Sequence, residues 1–293
     1  MKLSSCNIKL DNEGKEIVQH KSAMFPISFY DDNLHIDKVP WHWHDDFELL
    51  IVTEGSILVK TGIREFKLQE GEGCFINSEI LHTVLPLDKD CAKLHSLVYH
   101  PRLVGGSRDQ IIWHKYIQPI IDNNSIDSVV FHISKEWNQH IINQIDSIWH
   151  ILLEEVPGYE IKVRNELSDI LFMIHNHCPG ELKQISQKDL RNTNRVKKML
   201  EYIQNNYMKK IIVADLARCS VISESECLRC FKEIIGIPPI QYVKEFRIQK
   251  ATELLKTTNM KVSDVGFACG FQDMSYFAKT FEKLVGCTPS KYS

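Results

Sequence analysis

Nowhere in the 293 residues does an apolar run approach the roughly 18–20 residues that a membrane-crossing helix needs. No apolar segment of the secretory kind follows Met1-Lys2. The sequence has no Gly-x-Ser-x-Gly elbow, no phosphate loop and no paired-carboxylate constellation, so the common hydrolytic and nucleotide-binding chemistries find no residues to work with. His100, His114, His132, His140, His150, His175 and His177 are scattered, with no nucleophile or base constellation around them, and His175-x-His177 on a helix would point two ways. The nine cysteines are an odd number, which suits reduced thiols and a cytoplasmic protein better than a disulfide framework. A strong net charge is missing too, the chain carrying only −3.

That small number hides an asymmetry. From Asn194 onward there are 16 Lys+Arg against 10 Asp+Glu, whereas residues 1–193 carry 19 against 28. A basic C-terminal part joined to an acidic N-terminal part is what a chain needs when only one end meets phosphates. The length leaves room for two domains and a connecting segment.

The basic end contains one pattern written twice. Phe231, Gly236, Pro239 and Tyr242 recur as Phe281, Gly286, Pro289 and Tyr292, each at an offset of 50. A short apolar helix precedes each copy, Val213 to Ala217 in the first and Val262 to Gly266 in the second. A turn and an N-cap residue follow it, Ser223 or Asp273, whose side-chain oxygen can accept an orphan backbone N–H. Helix, turn and capped second helix make a helix-turn-helix, the second helix being shaped for a DNA major groove. Between the copies, Val243, Phe246, Ile248, Ala251, Leu254 and Leu255 show helical periodicity opened by Pro238-Pro239. Seventeen or so residues at about 1.5 Å each give a strut of roughly 25 Å, able to set two recognition helices on one DNA face.

These residues carry a resemblance. Ala214-Asp215-Leu216-Ala217, Arg247 to Leu255, Gly270 to Phe277 and Gly286-Cys287-Thr288-Pro289-Ser290-Lys291-Tyr292 are similar to the signature of AraC-type (AraC/XylS) transcriptional regulators. The resemblance implies a tandem helix-turn-helix domain that binds operator DNA as a transcription factor. Glu282 stands where that family usually has a basic residue and Gly266 where it usually has Ala; both departures suggest a weaker grip by the second unit.

Ahead of this domain, short apolar stretches between Phe25 and Leu103 are punctuated by turns, Phe47–Val52 and Ile57–Lys60 among them, and predict a small barrel or sandwich. Within them His42-x-His44-x3-Glu48-x6-Gly55 resembles the first cupin motif. Gly71, Asn77 and His82 resemble the second, with Asn77 where that motif usually has Pro. A cupin-like barrel that receives the effector is also the usual N-terminal part of an AraC-type regulator. Three imidazoles and a carboxylate have the chemistry to hold a divalent ion; the expectation is that His42, His44, Glu48 and His82 serve the fold or contact a small-molecule effector, with no metal and no cofactor. Trp41 and Trp43 are expected to pack.

From Ile111 the period becomes helical: one short helix to Ile121, then Glu136–Val156 and Glu160–His177 as an antiparallel pair about the turn Pro157-Gly158. The stripe Ile141, Ile145 and Ile148 is wide enough to suggest a homodimer interface. The expected fold is therefore α+β in two domains. Residues 1–178 would form the cupin-like effector and dimerisation domain, the first 23 or so as an arm or edge strand. Residues 179–193 would be a linker and 194–293 an all-α DNA-binding domain.

Burying Cys227, Cys230 and Phe231 turns Glu224, Ser225, Leu228, Arg229 and Lys232 outward on the first recognition helix. On the second, Met274, Ser275, Ala278 and Lys279 are outward. Family resemblance places base contacts at the same positions. Arg229 can pair bidentately with guanine, and Met274 or Ala278 can meet a thymine methyl. The chain is thus expected to be no enzyme but a cytoplasmic regulator, partnered by double-stranded operator DNA, a small-molecule effector and a second copy of itself, with RNA polymerase a further candidate and no membrane. A metal-dependent cupin enzyme fused to a DNA-binding domain, and a DNA binder indifferent to ligand, stay open as alternatives.

Overall fold

The computed structural model describes residues 15–18, 20, 22–36, 39–62, 64–178 and 185–292. The arm expected at the N-terminus falls mostly outside the described residues. Two compact units, Lys15–Leu190 and Arg191–Ser293, organise the chain.

Seven strands build the first unit: β1 (Ile27–Asn33), β2 (Phe47–Thr61), β3 (Arg64–Gln69), β4 (Gly73–Ile76), β5 (His82–Pro86), β6 (Ala92–Tyr99) and β7 (Ser128–Phe131). The two separate strands expected at 47–52 and 57–60 are one long strand. The first half of β2 pairs antiparallel with β6 and β4, its second half with β3 and β5, and the register slips between Val52 and Glu54. Gly55, at φ +76, lets the strand bend there; a Cβ on it would lie 2.1 Å from the Cys91 carbonyl oxygen. β2 thereby belongs both to a sheet of order β1-β6-β2-β4-β7 and to the pairings with β3 and β5, a barrel-like wall. β7 escaped the sequence reading because Val129-Val130-Phe131 is a short apolar run among helical signals.

Between β6 and β7 lie α1 (Arg102–Gly105), a π-helical turn at Trp113–Ile117, and α2 (Gln118–Ile121). The helix expected over 111–121 is thus a π turn running into α2, with Pro119 in the first turn of α2, where it has no N–H to give. Asn77, the departure from the cupin pattern, ties this region down: its Nδ2 donates to the Ile120 and Ile126 carbonyls, each at 2.7 Å.

α3 (Glu136–Glu154) and α4 (Tyr159–His177) form the expected pair around Gly158. One sheet face, with Phe29, Phe47, Leu49, Phe75 and Leu97, packs into a single core with Ile141, Ile145, Ile148, Leu167 and Ile170 from the helices. The stripe read as surplus is therefore consumed at home: Ile141, Ile145 and Ile148 are fully buried within their own chain. What α4 leaves outside is Ile161 and Phe172. The opposite sheet face contributes Leu50, Val52, Cys74 and Ile76 to a second core with Val59, Leu68 and Val84.

Helix α5 (Gln187–Asn206) begins before Arg191, and the described residues of the second unit form helices alone: the rest of α5, α6 (Val213–Cys219), α7 (Glu224–Ile235), α8 (Pro239–Thr257), α9 (Val262–Ala268), α10 (Met274–Val285) and α11 (Pro289–Tyr292). α5 begins seven residues before the helix start expected at Asn194. Ser186 accepts from the Asp189 N–H at 3.2 Å and donates to the Asp189 carboxylate at 2.6 Å, so the helix starts inside the segment 179–193 expected as linker. Residues 179–184 lie outside the described residues. α8 packs on α7 and on both α9 and α10, and Arg247 on α8 donates to the Tyr207 and Lys209 carbonyls at 2.8 and 2.7 Å, tying the strut to the end of α5.

Candidate functional sites

In the helical unit the two caps form as their sequences require. Ser223 accepts from the Glu226 N–H at 3.2 Å and Asp273 from the Tyr276 N–H at 2.9 Å. α7 buries Cys227, Cys230, Phe231 and Ile234, and Cys227 Sγ lies 3.7 Å from Met199 Sδ on α5. That seating leaves Glu224, Ser225, Leu228, Arg229 and Lys232 exposed on one surface. α10 buries Phe277 and Phe281 and exposes Ser275 and Lys279, with Ala278 partly covered.

Met274 departs from its expected place. It is half-buried, and its Sδ would be only 2.7 Å from a Cβ at Gly266. Glycine on α9 makes room for the Met274 thioether, so this side chain packs within its own unit. Tyr276, which sequence reasoning overlooked, is 49 % exposed on the same helix; the N-cap at Asp273 sets its phase and was the available signal.

The two helices differ in charge. α7 carries Glu224, Glu226 and Glu233 against Arg229 and Lys232, while α10 carries Glu282 against Lys279 and Lys283. Arg229 is engaged by carboxylates on both sides, Glu226 at 2.6 Å and Glu233 at 3.1 Å. At the 50-residue offset those two positions are Tyr276 and Lys283, and no acidic side chain is paired with Lys279 among the described residues.

A second site lies inside the barrel. His42 and His82 exchange backbone hydrogen bonds at 3.1 and 2.9 Å, which lays their rings together at 4.1 Å between centroids. His44 follows two residues later, and Glu48 stands on the face of β2 that also carries Leu50 and Val52. One ligating atom from each of His42, His44, Glu48 and His82 falls within 4.8 Å of all the others, and all four residues are buried. Trp41 and Trp43 are buried beside them.

The imidazoles share one orientation. Each places Nδ1 against a backbone carbonyl: Pro40 for His42 at 2.8 Å, Asp46 for His44 at 3.0 Å and Ile80 for His82 at 2.7 Å. In a neutral imidazole an Nδ1–H donated to a carbonyl leaves Nε2 as an acceptor, and all three Nε2 atoms turn toward the cluster. Glu48 Oε2 lies 2.9 Å from His82 Nε2 and 3.5 Å from His44 Nε2. His44 Nε2, His82 Nε2 and Glu48 Oε2 are buried polar atoms that form no hydrogen bond.

Electrostatics shows the tension. Burial works against a charged Glu48, but His44 and His82 outweigh it and hold the carboxyl well below its usual range. Burial likewise disfavours a charged His44, while the Glu48 carboxylate, with Glu16 and Asp46, lifts it to about 9. His42 is driven well below its ordinary value by burial and by the neighbouring His82 and His44. Glu16, from the segment ahead of β1, is raised to about 7, chiefly by burial. Three imidazole nitrogens and a carboxylate oxygen, held by backbone contacts, are a donor set that fits a divalent transition-metal ion. Glu16 is the member of this region that no motif singled out.

Comparison with known proteins follows this division. A sequence model of the AraC-like ligand binding domain matches residues 25–171, and one of a helix-turn-helix domain matches residues 216–293. The chain is 27 % identical over 290 residues to an uncharacterized HTH-type transcriptional regulator, YdeC, of Bacillus subtilis, covering 98 % of each. It is 23 % identical over 253 residues, 86 % of each chain, to the HTH-type transcriptional activator RhaR of Mannheimia succiniciproducens. Among solved structures, ToxT from Vibrio cholerae aligns over 91 % of this chain and 97 % of its own, at 12 % identity and a TM-score of 0.46. No helix among the described residues is long and apolar enough to cross a membrane.

Proposed function

We propose, for a chain that belongs to the AraC family of transcriptional regulators, that it meets operator DNA with α7 and α10 and takes its effector at the barrel cluster. The family gives the coarse function: a DNA-binding regulator with a ligand-binding domain. The finer reading assigns base and phosphate contacts to Glu224, Ser225, Leu228, Arg229 and Lys232 on α7 and to Ser275, Ala278 and Lys279 on α10. Tyr276 takes the place first given to Met274. It assigns the effector to His42, His44, Glu48 and His82, makes regulation rather than catalysis the role of the chain, and places it in the cytoplasm as a homodimer.

One observation carries the effector half: three buried polar atoms converge in the barrel with no hydrogen bond, although such atoms cost about 1–3 kcal/mol each when left unmade. A ligand that satisfied them would bind the barrel tightly and shift which arrangement of the chain is populated. The DNA half rests on two capped helices with matched exposed faces joined by one strut.

The test is selection of sites from a random duplex pool with the full chain, then footprinting. Two protected major-groove segments about 10 bp apart in each half-site are expected. Selected DNA bound equally well after removal of residues 194–293 would overturn the assignment. Sedimentation at micromolar concentration, with and without the selected duplex, decides between monomer and dimer.

A further inference from the structure

The 50-residue repeat is broken at one contact. In the first copy the turn between the two helices rests on its own supporting helix: Ser220 Oγ donates to the Arg195 carbonyl of α5 at 3.0 Å. In the second copy the residue at the same offset is Gly270, and the helix in the place of α5 is α8. Gly270 closes on the chain that follows α5. At φ +82 it carries no side chain, and a Cβ there would lie 2.5 Å from the Tyr207 carbonyl oxygen and 2.9 Å from that of Met208. The turn of the second helix-turn-helix is thus seated on a segment that belongs to the first.

Arg247 holds the same segment. From the middle of α8 its Nε donates to the Tyr207 carbonyl at 2.8 Å and its Nη2 to that of Lys209 at 2.7 Å. α5 ends at Asn206, so the guanidinium caps the negative end of that helix. Its Cζ also lies 5.8 Å from the centre of the Phe271 ring, next to Gly270. Two carbonyls in different places need the two arms of a guanidinium; an ammonium is a point charge.

From this knot, contacts run to both recognition helices. The Tyr207 ring meets Phe246 at 5.4 Å between centroids, Phe246 meets Tyr242 at 6.3 Å, and Tyr242 meets Phe231 of α7 at 5.6 Å. On the other side Phe271 meets Phe277 of α10 at 5.0 Å. The strut by itself would join α7 to α10 along a single path. Arg247 and Gly270, by their contacts with residues 207–209, add a second.

We propose that Arg247 is a positioning residue that sets the spacing of the DNA site, by holding the end of α5 against the turn before α10 and so fixing the separation and phase of α7 and α10. The proposal rests on the reading that both helices enter the duplex. One base pair more or less between the two segments moves the second by about 3.4 Å along the axis and about 35° around it. Helices joined along two paths admit one spacing; joined by α8 alone they admit its neighbours as well.

The experiment uses the full chain and the selected duplex, with one base pair inserted or removed between the two protected segments. The wild type should bind both altered duplexes roughly tenfold more weakly or worse. Arg247→Met keeps the bulk of the side chain without its donors. It should bind the altered duplexes within about threefold of the parent, while base changes inside either segment cost it as much as they cost the wild type. Arg247→Lys should fall between the two. Gly270→Ala disturbs the same contact from the other side and should relax the spacing too; it serves in place of Arg247→Met if denaturant titration shows that variant unfolded. An equal loss on all three duplexes, with their ratio unchanged, overturns the proposal and leaves Arg247 a stabilising residue. An unchanged ratio with a lowered salt slope also overturns it and makes Arg247 a phosphate contact. A single protected segment in the wild type overturns the two-helix reading and the proposal with it, whereas two protected segments with unchanged selectivity in Arg247→Met overturn the proposal alone.

Discussion

Arg229 donates to Glu226 at 2.6 Å, one turn back along α7, and to Glu233 at 3.1 Å, one turn ahead. The side chain best suited to a guanine edge is therefore held by two carboxylates of its own helix in the absence of DNA. Exposed i,i+3 and i,i+4 pairs are worth only about 0.3–0.5 kcal/mol each, far less than the roughly 1–3 kcal/mol of a good bidentate base contact. The clamp costs Arg229 little when the right base is offered and disfavours it against phosphate alone.

Arg229→Ala should accordingly weaken binding to the selected site by about 1–3 kcal/mol and relax preference at one base position. Glu226→Gln leaves the guanidinium to Glu233 alone and should raise affinity for all sequences, flattening the preference. Lys279→Ala, on the helix without those carboxylates, should weaken binding to every sequence alike and lower the salt slope by about one. Titrations of matched and mismatched duplexes at several salt concentrations read all three; an unchanged base preference in Arg229→Ala would assign it to phosphate.

Ile145 is fully buried between α3 and the sheet. Ile145→Ala should cost about 2–5 kcal/mol of stability in the first unit while leaving the self-association constant of the folded fraction unchanged. Denaturant unfolding and sedimentation of the same variant separate the two effects. Dissociation without loss of stability would restore the stripe as an interface.

Val221 occupies the turn between α6 and α7 at φ +55 while 86 % exposed. A β-branched residue pays there for a left-handed backbone and gains almost nothing from burial. Val221→Asn should raise stability by about 1 kcal/mol without altering DNA preference, measured by chemical denaturation. A loss would mean that the branched side chain has a role on the bound duplex.

His95 stacks on Trp149, with ring centroids 3.7 Å apart and planes within 3°. Burial pushes its pKa down, against a weaker upward pull from Asp31 and Asp146. A histidine whose folded pKa is lowered contributes stability fully above its unfolded value near 6.5 and loses it as pH falls through the folded value. The melting temperature should therefore drop between pH 7 and 5. His95→Phe, which keeps a ring on Trp149, should flatten part of that slope. Thermal scans across pH check it, and identical slopes would place the sensitivity elsewhere.

Much of the fold could be read from the sequence because its signals are local. The 50-residue repeat, the caps at Ser223 and Asp273 and the period-3.6 stripes each speak for a single element. The sequence was silent where the answer depended on distant partners. Nothing local shows that Phe47–Val52 and Ile57–Lys60 are halves of one strand, since the slip at Val52 and Glu54 exists only against β6. Nothing in Ile141, Ile145 and Ile148 says whether the covering surface belongs to this chain or to another. Glu16 was missed because it stands in a polar stretch without pattern, and contacts distant in sequence, such as that of its backbone N–H with the Trp43 carbonyl, bring it to His42.

β2 has a consequence for what kinds of change this chain can absorb. Phe47, Leu49 and Ile51 look toward the helices, while Glu48, Leu50 and Val52 look into the chamber. Because the side-chain period of a strand is two, inserting or deleting one residue before Val52 would exchange the two sets, putting a carboxylate into the helical core and a phenylalanine among the imidazoles. Substitutions along this partition can be graded in kilocalories, but a change in its length would make the receiving chamber and its helical backing unbuildable at the same stroke. Variation in this family of shapes can enter by the loops at its margins and not through the wall itself.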